Sequence, residues 1–218
     1  MKNRLKVFTS LEKADRIFFF LMLMTVGNVL SATVKFIFSI TIPSLWFGVN
    51  AGFGIVLSIS RFFSINAYIK LKSKKDEKSK KKIGLKNYLH NGILLILLGI
   101  MYFFVSVYMF YKGTKTYMHE YLTYLVALIA FWSVGSAIYG MVKYKRDKSP
   151  VIKAVKITNF ANALTAIVLT QVTLLNTFSK NYDSVSINGC TGITVSLIIM
   201  ILGLYMILGI RKAALLSF

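Results

Sequence analysis

The side chains best suited to hydrogen-bonding chemistry lie within an apolar stretch close to the C-terminal third of the chain. Asn159, Asn162, Thr170 and Thr173 recur there at spacings that place them on one face of an α-helix. An amide or hydroxyl in hydrocarbon is costly unless it is hydrogen-bonded, so this face is expected to meet protein or water. It either lines a site for a polar solute or joins neighbouring helices through hydrogen bonds.

Two residues elsewhere are candidates for the same inward-facing polar or solute-binding set. Asn50 lies in an apolar stretch beside Gly48 and Gly52, whose spacing allows two helices to approach closely. Trp132 lies near the middle of another stretch, too deep for the aromatic belt of a membrane surface. It is therefore either an anchor in the core or a stacking wall for a flat solute.

The ionisable residues argue against several kinds of chemistry. All seven carboxylates lie outside the apolar stretches, whereas proton relays and cation sites in membranes commonly use a buried Asp or Glu. With two histidines, one cysteine and no HExxH motif, the chain offers no metal-ligand cluster. It also lacks the phosphate-binding motif GxxxxGK[ST]. We therefore predict no cofactor, no metal, no catalytic residue and no enzymatic activity.

The elements that must position the polar side chains are membrane-spanning helices. A helix that crosses a bilayer needs about 20 mainly apolar residues, and six stretches meet this requirement. They cover 17–39, 44–65, 91–111, 121–142, 157–177 and 189–210. The sequence therefore predicts an all-α integral membrane protein in which residues 1–218 form a single transmembrane domain.

The distribution of positive charge predicts the orientation of these helices. Of the 27 Lys and Arg residues, only Lys35, Lys112, Lys115 and Lys180 fall on the side opposite the N-terminus. Because Lys and Arg concentrate in cytoplasmic segments, both termini are predicted to be cytoplasmic. This bias accounts for the formal charge of +20 without a nucleic-acid partner. Lys35 and Arg61 are expected to extend their long side chains to opposite membrane surfaces.

The most basic segment is the connection at 66–88, predicted to be a mobile cytoplasmic loop. Lysines near a membrane surface are attracted to anionic lipids by about 1 kcal/mol each. The predicted lipid contacts are Lys70, Lys72, Lys74, Lys75, Lys80, Lys81 and Lys82. Binding of an acidic protein partner is the alternative interpretation of this segment.

The order of the helices suggests three tandem hairpins, each entering and leaving at the cytoplasmic face. In size, number of spans and placement of its termini, the chain resembles the substrate-binding membrane subunits of energy-coupling-factor transporters. The resemblance is one of architecture and rests on no motif.

Two functions from different classes follow from these features. The first is a solute-binding or permease-like protein that moves a small solute with the help of a partner or a gradient. The alternative is a non-catalytic accessory, sensor or pore-forming subunit that assembles through helix contacts with a protein partner or a second copy. A lipid-modifying enzyme is disfavoured because no catalytic set is visible. Either function places the protein in the plasma membrane, the inner membrane of a bacterium.

Overall fold

The computed structural model describes residues 2–41, 44–74, 76–113, 119–143, 149–178 and 184–215. Side chains are described in the first helix at Phe19, Met22, Leu23 and from Thr25 onward, and in the last helix as far as Ile210. The described part of the chain contains six helices: α1 (Lys2–Thr41), α2 (Leu45–Ser73), α3 (Glu77–Lys112), α4 (Glu120–Lys143), α5 (Pro150–Phe178) and α6 (Ser184–Leu215).

Helices α2 to α6 are each long and apolar enough to cross a membrane, and the apolar part found in α1, Thr25–Thr41, is shorter. The predicted all-α fold with six apolar helices is confirmed. The first predicted span, 17–39, begins in a part of α1 where most side chains lie outside the described residues.

The connection between α2 and α3 differs from the mobile loop predicted at 66–88. Helix α2 continues to Ser73 and α3 begins at Glu77, so most of this basic segment is helical. Asp76 caps α3, and its carboxylate accepts hydrogen bonds from the backbone amides of Lys78 and Ser79. The loop prediction was wrong because lysine, although polar, is a good helix former that lets a helix continue beyond the bilayer.

The helices do not pair as three tandem hairpins. α1 packs on α2, and α5 on α6, but the main neighbour of α3 is α6 rather than α4. α5 is the most enclosed of the spans and contacts α2, α3, α4 and α6. Adjacent charged connections reveal the order of the spans but not which helix faces fit together, so the packing partners differ from the neighbours in sequence.

The two halves of the chain, α1–α3 and α4–α6, pack in a matching pattern. α1 contacts α2 as α4 contacts α5, and α2 contacts α3 as α5 contacts α6. Equivalent helices meet at α2–α5 and at α3–α6, while the contact of α3 with α5 breaks the match. Each half has three helices, so the second half runs opposite to the first, as in an inverted repeat.

The α3–α6 interface is the tightest in the molecule, and small residues recur along it every seven positions. They are Gly92, Gly99 and Ser106 on α3 and Gly189, Ser196 and Gly203 on α6. A Cβ built on Gly99 would lie 2.6 Å from Met200 Cγ, and one on Gly189 would lie 2.7 Å from Phe110 Cα. A seven-residue period keeps this seam aligned over several turns of two antiparallel helices.

Candidate functional site

The polar face of α5 lies inside the bundle, as predicted. Asn159, Asn162 and Thr173 are each about 5% exposed or less, and Thr170 is half-buried. The hydroxyls of Thr170 and Thr173 donate to backbone carbonyls one turn earlier in α5. Because these hydroxyls are already bonded within their own helix, they are poorly placed to serve a solute.

Towards its C-terminus α5 is tied to its neighbours by polar contacts. Gln171 Nε2 donates to Thr191 Oγ1 of α6 at 2.8 Å, and the hydroxyls of Thr123 and Thr177 lie 2.8 Å apart between α4 and α5. Hydrogen bonds of this kind hold membrane helices together. The polar face of α5 therefore has the contacts expected of helix packing.

A second polar cluster, overlooked as a unit from the sequence, joins α2 to α3. Ser60 donates to Asn91 Oδ1, while Ser64 lies within hydrogen-bonding distance of both Asn87 and Asn91. All four side chains are buried. The serines are four residues apart on α2 and the asparagines four apart on α3, and this shared spacing could have revealed the pairing.

Asn50 is buried but is fixed by its own surroundings rather than by a cavity. Its amide nitrogen donates to the carbonyl of Trp46 at 2.9 Å, and its side chain lies beside the Tyr102 hydroxyl of α3. Both Trp46 and Tyr102 are in the core. Asn50 therefore belongs to the α2–α3 packing.

Trp132 is not a core anchor. Its side chain is 73% exposed and lies on the face of α4 that is turned towards α1. The position of a residue along a helix does not determine which way its side chain faces. Because α4 is apolar on all sides, its sequence does not indicate which face is buried. Trp132 therefore does not share the interior of the bundle with the polar face of α5, and its role as a stacking wall for a solute stays a prediction.

Trp132 instead lines a groove of about 1160 Å³ between α1 and α4. We refer to this space as the α1–α4 groove. Most of its wall is apolar, with Leu23, Leu30, Leu128 and Phe131 among the lining side chains. Among the described residues no extended contact joins α1 to α4, so the groove separates these two helices.

The two ends of the α1–α4 groove differ. At one end, which we call the Lys143 end, Lys143 donates to the Tyr139 hydroxyl and also lies over the Tyr139 ring. Towards the opposite end, where α4 begins at Glu120, a separate small cavity of about 10 Å³ lined by Lys35 lies beside the groove. Val34 and Ile129 line both spaces.

Lys35 is 4% exposed and does not reach a membrane surface, so the predicted extension to the interface is wrong. Side chains on a helix lean towards its N-terminus. Lys35 lies near the C-terminal end of α1, and this lean directs its ammonium away from the nearest surface. Its cavity is shared with Ala130 of α4 and Ala166 of α5.

Arg61 is also buried, at 3% exposed, and its predicted extension to the surface is likewise wrong. It follows Ser60 of the α2–α3 polar cluster in sequence. α2 runs in the opposite direction to α1, so the same lean again turns the cation away from the nearer surface. The direction of each helix, available from the sequence, was the signal that could have corrected both predictions.

Among the described residues, two buried polar atoms of α1 have no hydrogen-bond partner, and both belong to residues that line the groove. They are Nδ2 of Asn28 and Oγ of Ser31. Asn28, Ser31 and Lys35 are separated by three and four residues, so they share one face of α1. An amide, a hydroxyl and an ammonium thus follow one another along this face, beside the groove and the Lys35 cavity.

The lysines predicted to contact lipid lie mainly on the helical extensions of α2 and α3. Lys70, Lys72, Lys74, Lys81 and Lys82 are exposed, and Lys75 lies outside the described residues. Lys80 is partly shielded and forms an ion pair with Glu77 at 2.6 Å. Lipid contact by this set stays a prediction.

Within the described ranges, no three His, Cys, Asp or Glu side chains are grouped closely enough to hold a metal ion. No protein-family model matches the chain, and no curated protein matches it.

Proposed function

We propose that this protein is a solute-binding or permease-like membrane protein whose site is the α1–α4 groove. The observation that carries the proposal is a large groove that lies beside the cavity of a buried lysine, with Val34 and Ile129 lining both spaces. Ligand sites are typically concave and mostly apolar, with a few polar groups that fix orientation. The groove has this character, whereas the polar face of α5 is engaged in packing.

The matching halves of the molecule support the same proposal. In many transporters the substrate site lies near the middle of the bilayer, where two related repeats meet. α1 and α4 are the equivalent first helices of the two halves, and the cavity of Lys35 reaches Ala130 near the middle of α4. The groove therefore occupies the position that an inverted repeat would give to a solute.

We further propose an orientation with both termini in the cytoplasm of a bacterial cell and the protein in its plasma membrane. The support is the concentration of lysine around the α2–α3 connection and the Lys143 end. In a variant with Cys190→Ser, an impermeant thiol reagent should label Glu120→Cys but not Ser73→Cys from outside intact cells. Both positions are exposed at opposite ends of the bundle, so the reverse pattern would refute the orientation.

Ligand-induced thermal stabilisation tests the groove as a site. Gly135 lines it, and among the described residues no atom lies within 4 Å of a built Cβ, so Gly135→Leu should obstruct the groove without disturbing the fold. In nanodiscs of zwitterionic lipid, we expect single-chain decyl amphiphiles to raise the Tm of the full chain saturably. Gly135→Leu should abolish that increase.

Gly52→Leu provides the matched control, because Gly52 also faces outward with nothing within 4 Å of its Cβ but lies on α2. This variant should retain the full increase in Tm. No saturable increase in the unmodified chain, or one that survives in Gly135→Leu, would refute the groove as the site.

One observation favours the alternative function of an assembling subunit. Gly48 and Gly52 are both exposed on the outer face of α2, and no described residue lies close to a Cβ built on Gly52. A GxxxG pair on an outer face allows the helix of another subunit to approach closely. Gly52→Leu would then change the oligomeric state while leaving ligand-induced stabilisation intact.

A further inference from the structure

We infer that the α1–α4 groove binds an amphiphilic anion, with its charged group on Lys35 and its apolar body along the groove. This inference rests on the proposed function and names the class of solute. It concerns a free, single-chain anion rather than a phospholipid of the bilayer.

The burial of Lys35 is the first step. An ionisable side chain inside a membrane is costly and as a rule pairs with an opposite charge or lines a solute pathway. Among the described residues, no carboxylate or hydrogen-bond acceptor contacts the Lys35 ammonium, and the residues around its cavity are apolar. An anionic ligand would supply the missing partner.

The depth of Lys35 separates a solute from a bilayer lipid. Its cavity is lined by Ala130, which lies ten residues, or about 15 Å, from the start of α4 at Glu120. α4 as a whole is about 36 Å long. The charge is therefore near the middle of the span, whereas phospholipid headgroups remain at the two surfaces. A cation at this depth suits an anion that enters the protein.

The other donors of α1 extend the site from the cavity into the groove. Ser31 lies one helical turn from Lys35 on the side towards which the lysine leans, and Asn28 lies one turn further. Both have a polar atom without a hydrogen bond. A group with several oxygens, such as a carboxylate or sulfonate, would accept bonds from this row.

The apolar side chains that line the groove indicate the chemistry of the uncharged part of the ligand. Leu23 and Leu30 of α1 face Leu128, Phe131 and Trp132 of α4 across the groove. Walls of this kind accept a hydrocarbon chain as lipid does, whereas polar groups placed against them would lack hydrogen bonds. A hydrophilic anion could not use these walls, so the ligand combines one charged group with an apolar body.

The test compares three decyl probes that differ in charge: decanesulfonate, decanol and decyltrimethylammonium. Thermal unfolding of the full chain is followed in nanodiscs of zwitterionic lipid. Decanesulfonate should give the largest saturable rise in Tm and decyltrimethylammonium the smallest. In Lys35→Gln, the apparent affinity for decanesulfonate should fall by at least about tenfold, because a charge-assisted hydrogen bond is replaced by a weaker neutral one. Its affinity for decanol should not change.

Lys153→Gln is the matched control, since Lys153 is exposed on α5 away from the groove; it should behave as the unmodified chain. Equal stabilisation of the unmodified chain by decanesulfonate and decanol would overturn the anion site but leave the groove as a ligand site. Stabilisation by neither would overturn the proposed function as well. The comparison within the unmodified chain decides the question even if Lys35→Gln does not fold.

Discussion

The α3–α6 interface and the α1–α4 groove each lie between equivalent helices of the two halves, yet they are built in opposite ways. Along α3–α6, glycines bring backbones so close that a Cβ on Gly203 would lie 2.8 Å from the carbonyl oxygen of Gly92. Between α1 and α4 the helices are held apart, and Gly135 has open space in front of it. One pair is closed along its length and the other leaves a groove between its helices.

The difference teaches how a membrane protein closes or opens a helix pair. Lipid tails are as apolar as leucine, so helix association depends on close packing and interhelical hydrogen bonds. α3 and α6 supply small residues at a common period of seven. α1 and α4 instead present large side chains such as Phe131 and Trp132, with isolated glycines, and these leave space between them.

The largest expected effect is the loss of stability when a glycine of the α3–α6 interface is replaced by leucine. The same substitution in the α1–α4 groove serves as the comparison. Gly189→Leu would place a side chain against Phe110, whose Cβ and Cα lie 2.6 and 2.7 Å from a built Cβ. Because part of that obstacle is backbone, α3 and α6 must separate, and the loss should exceed the about 1–3 kcal/mol typical of overpacking. Gly135→Leu should change the Tm little. Equal losses in thermal unfolding would show that the two regions do not differ in packing.

The next effect is a gain in the free energy of unfolding when Lys35, in the cavity beside the groove, is replaced. Lys35→Gln removes a buried charge, and in the absence of added amphiphile it should raise the free energy of unfolding by up to about 2 kcal/mol. This is less than the about 2.5–3.5 kcal/mol cost of a charged side chain at a helix centre, because Gln remains polar. Denaturant unfolding in mixed micelles measures it. A clear loss of stability would mean that Lys35 is stabilised by a partner in the protein.

A smaller loss is expected in the polar cluster between α2 and α3. Asn91→Leu removes the bonds to Ser60 and Ser64 and should cost about 1 kcal/mol, within the range for hydrogen bonds between membrane helices. A double-mutant cycle with Ser60→Ala isolates the pair. Additive losses would indicate that this cluster does not couple the helices.

The smallest effect is expected at the α2–α3 connection, which belongs to neither region. Hydrogen bonds from Ser79 and Lys78 lower the pKa of Asp76 below its usual value. The stabilisation from this cap is therefore present above the ordinary pKa of an aspartate and is lost as the pH falls through the lowered pKa. Asp76→Ala should increase amide hydrogen exchange in the first turn of α3 at neutral pH. Ser73→Ala, at an exposed position of α2, should not.

The sequence predicts the helices of this fold better than their partners. Length and hydrophobicity suffice to locate six apolar helices, and the spacing of Asn159, Asn162 and Thr173 correctly indicates their inward face. The seven-residue recurrence of small residues in α3 and α6 was present in the sequence but was not used. It is a better indicator of a close helix pair than the outward-facing Gly48–Gly52 motif.

The candidate site could be predicted only in part. Asn28, Ser31 and Lys35 share a face at helical spacing, so their alignment follows from periodicity alone. The groove does not follow from periodicity, because it depends on how two helices that are far apart in sequence are placed relative to each other. Trp132 shows the same limit: its depth was foreseen, but its direction depends on how α4 packs on α5.

The most direct test of the groove as the ligand site uses the two tryptophans of the chain. Trp132 lies in the groove, whereas Trp46 is 3% exposed in the core. Trp46→Phe leaves Trp132 as the single reporter, and Trp132→Phe leaves Trp46. The measurement is quenching of each reporter's fluorescence by a bromine-labelled decanesulfonate. We predict saturable quenching of Trp132, which Gly135→Leu removes, and little quenching of Trp46. Quenching of Trp132 that rises without saturation and is unchanged by Gly135→Leu would contradict the account.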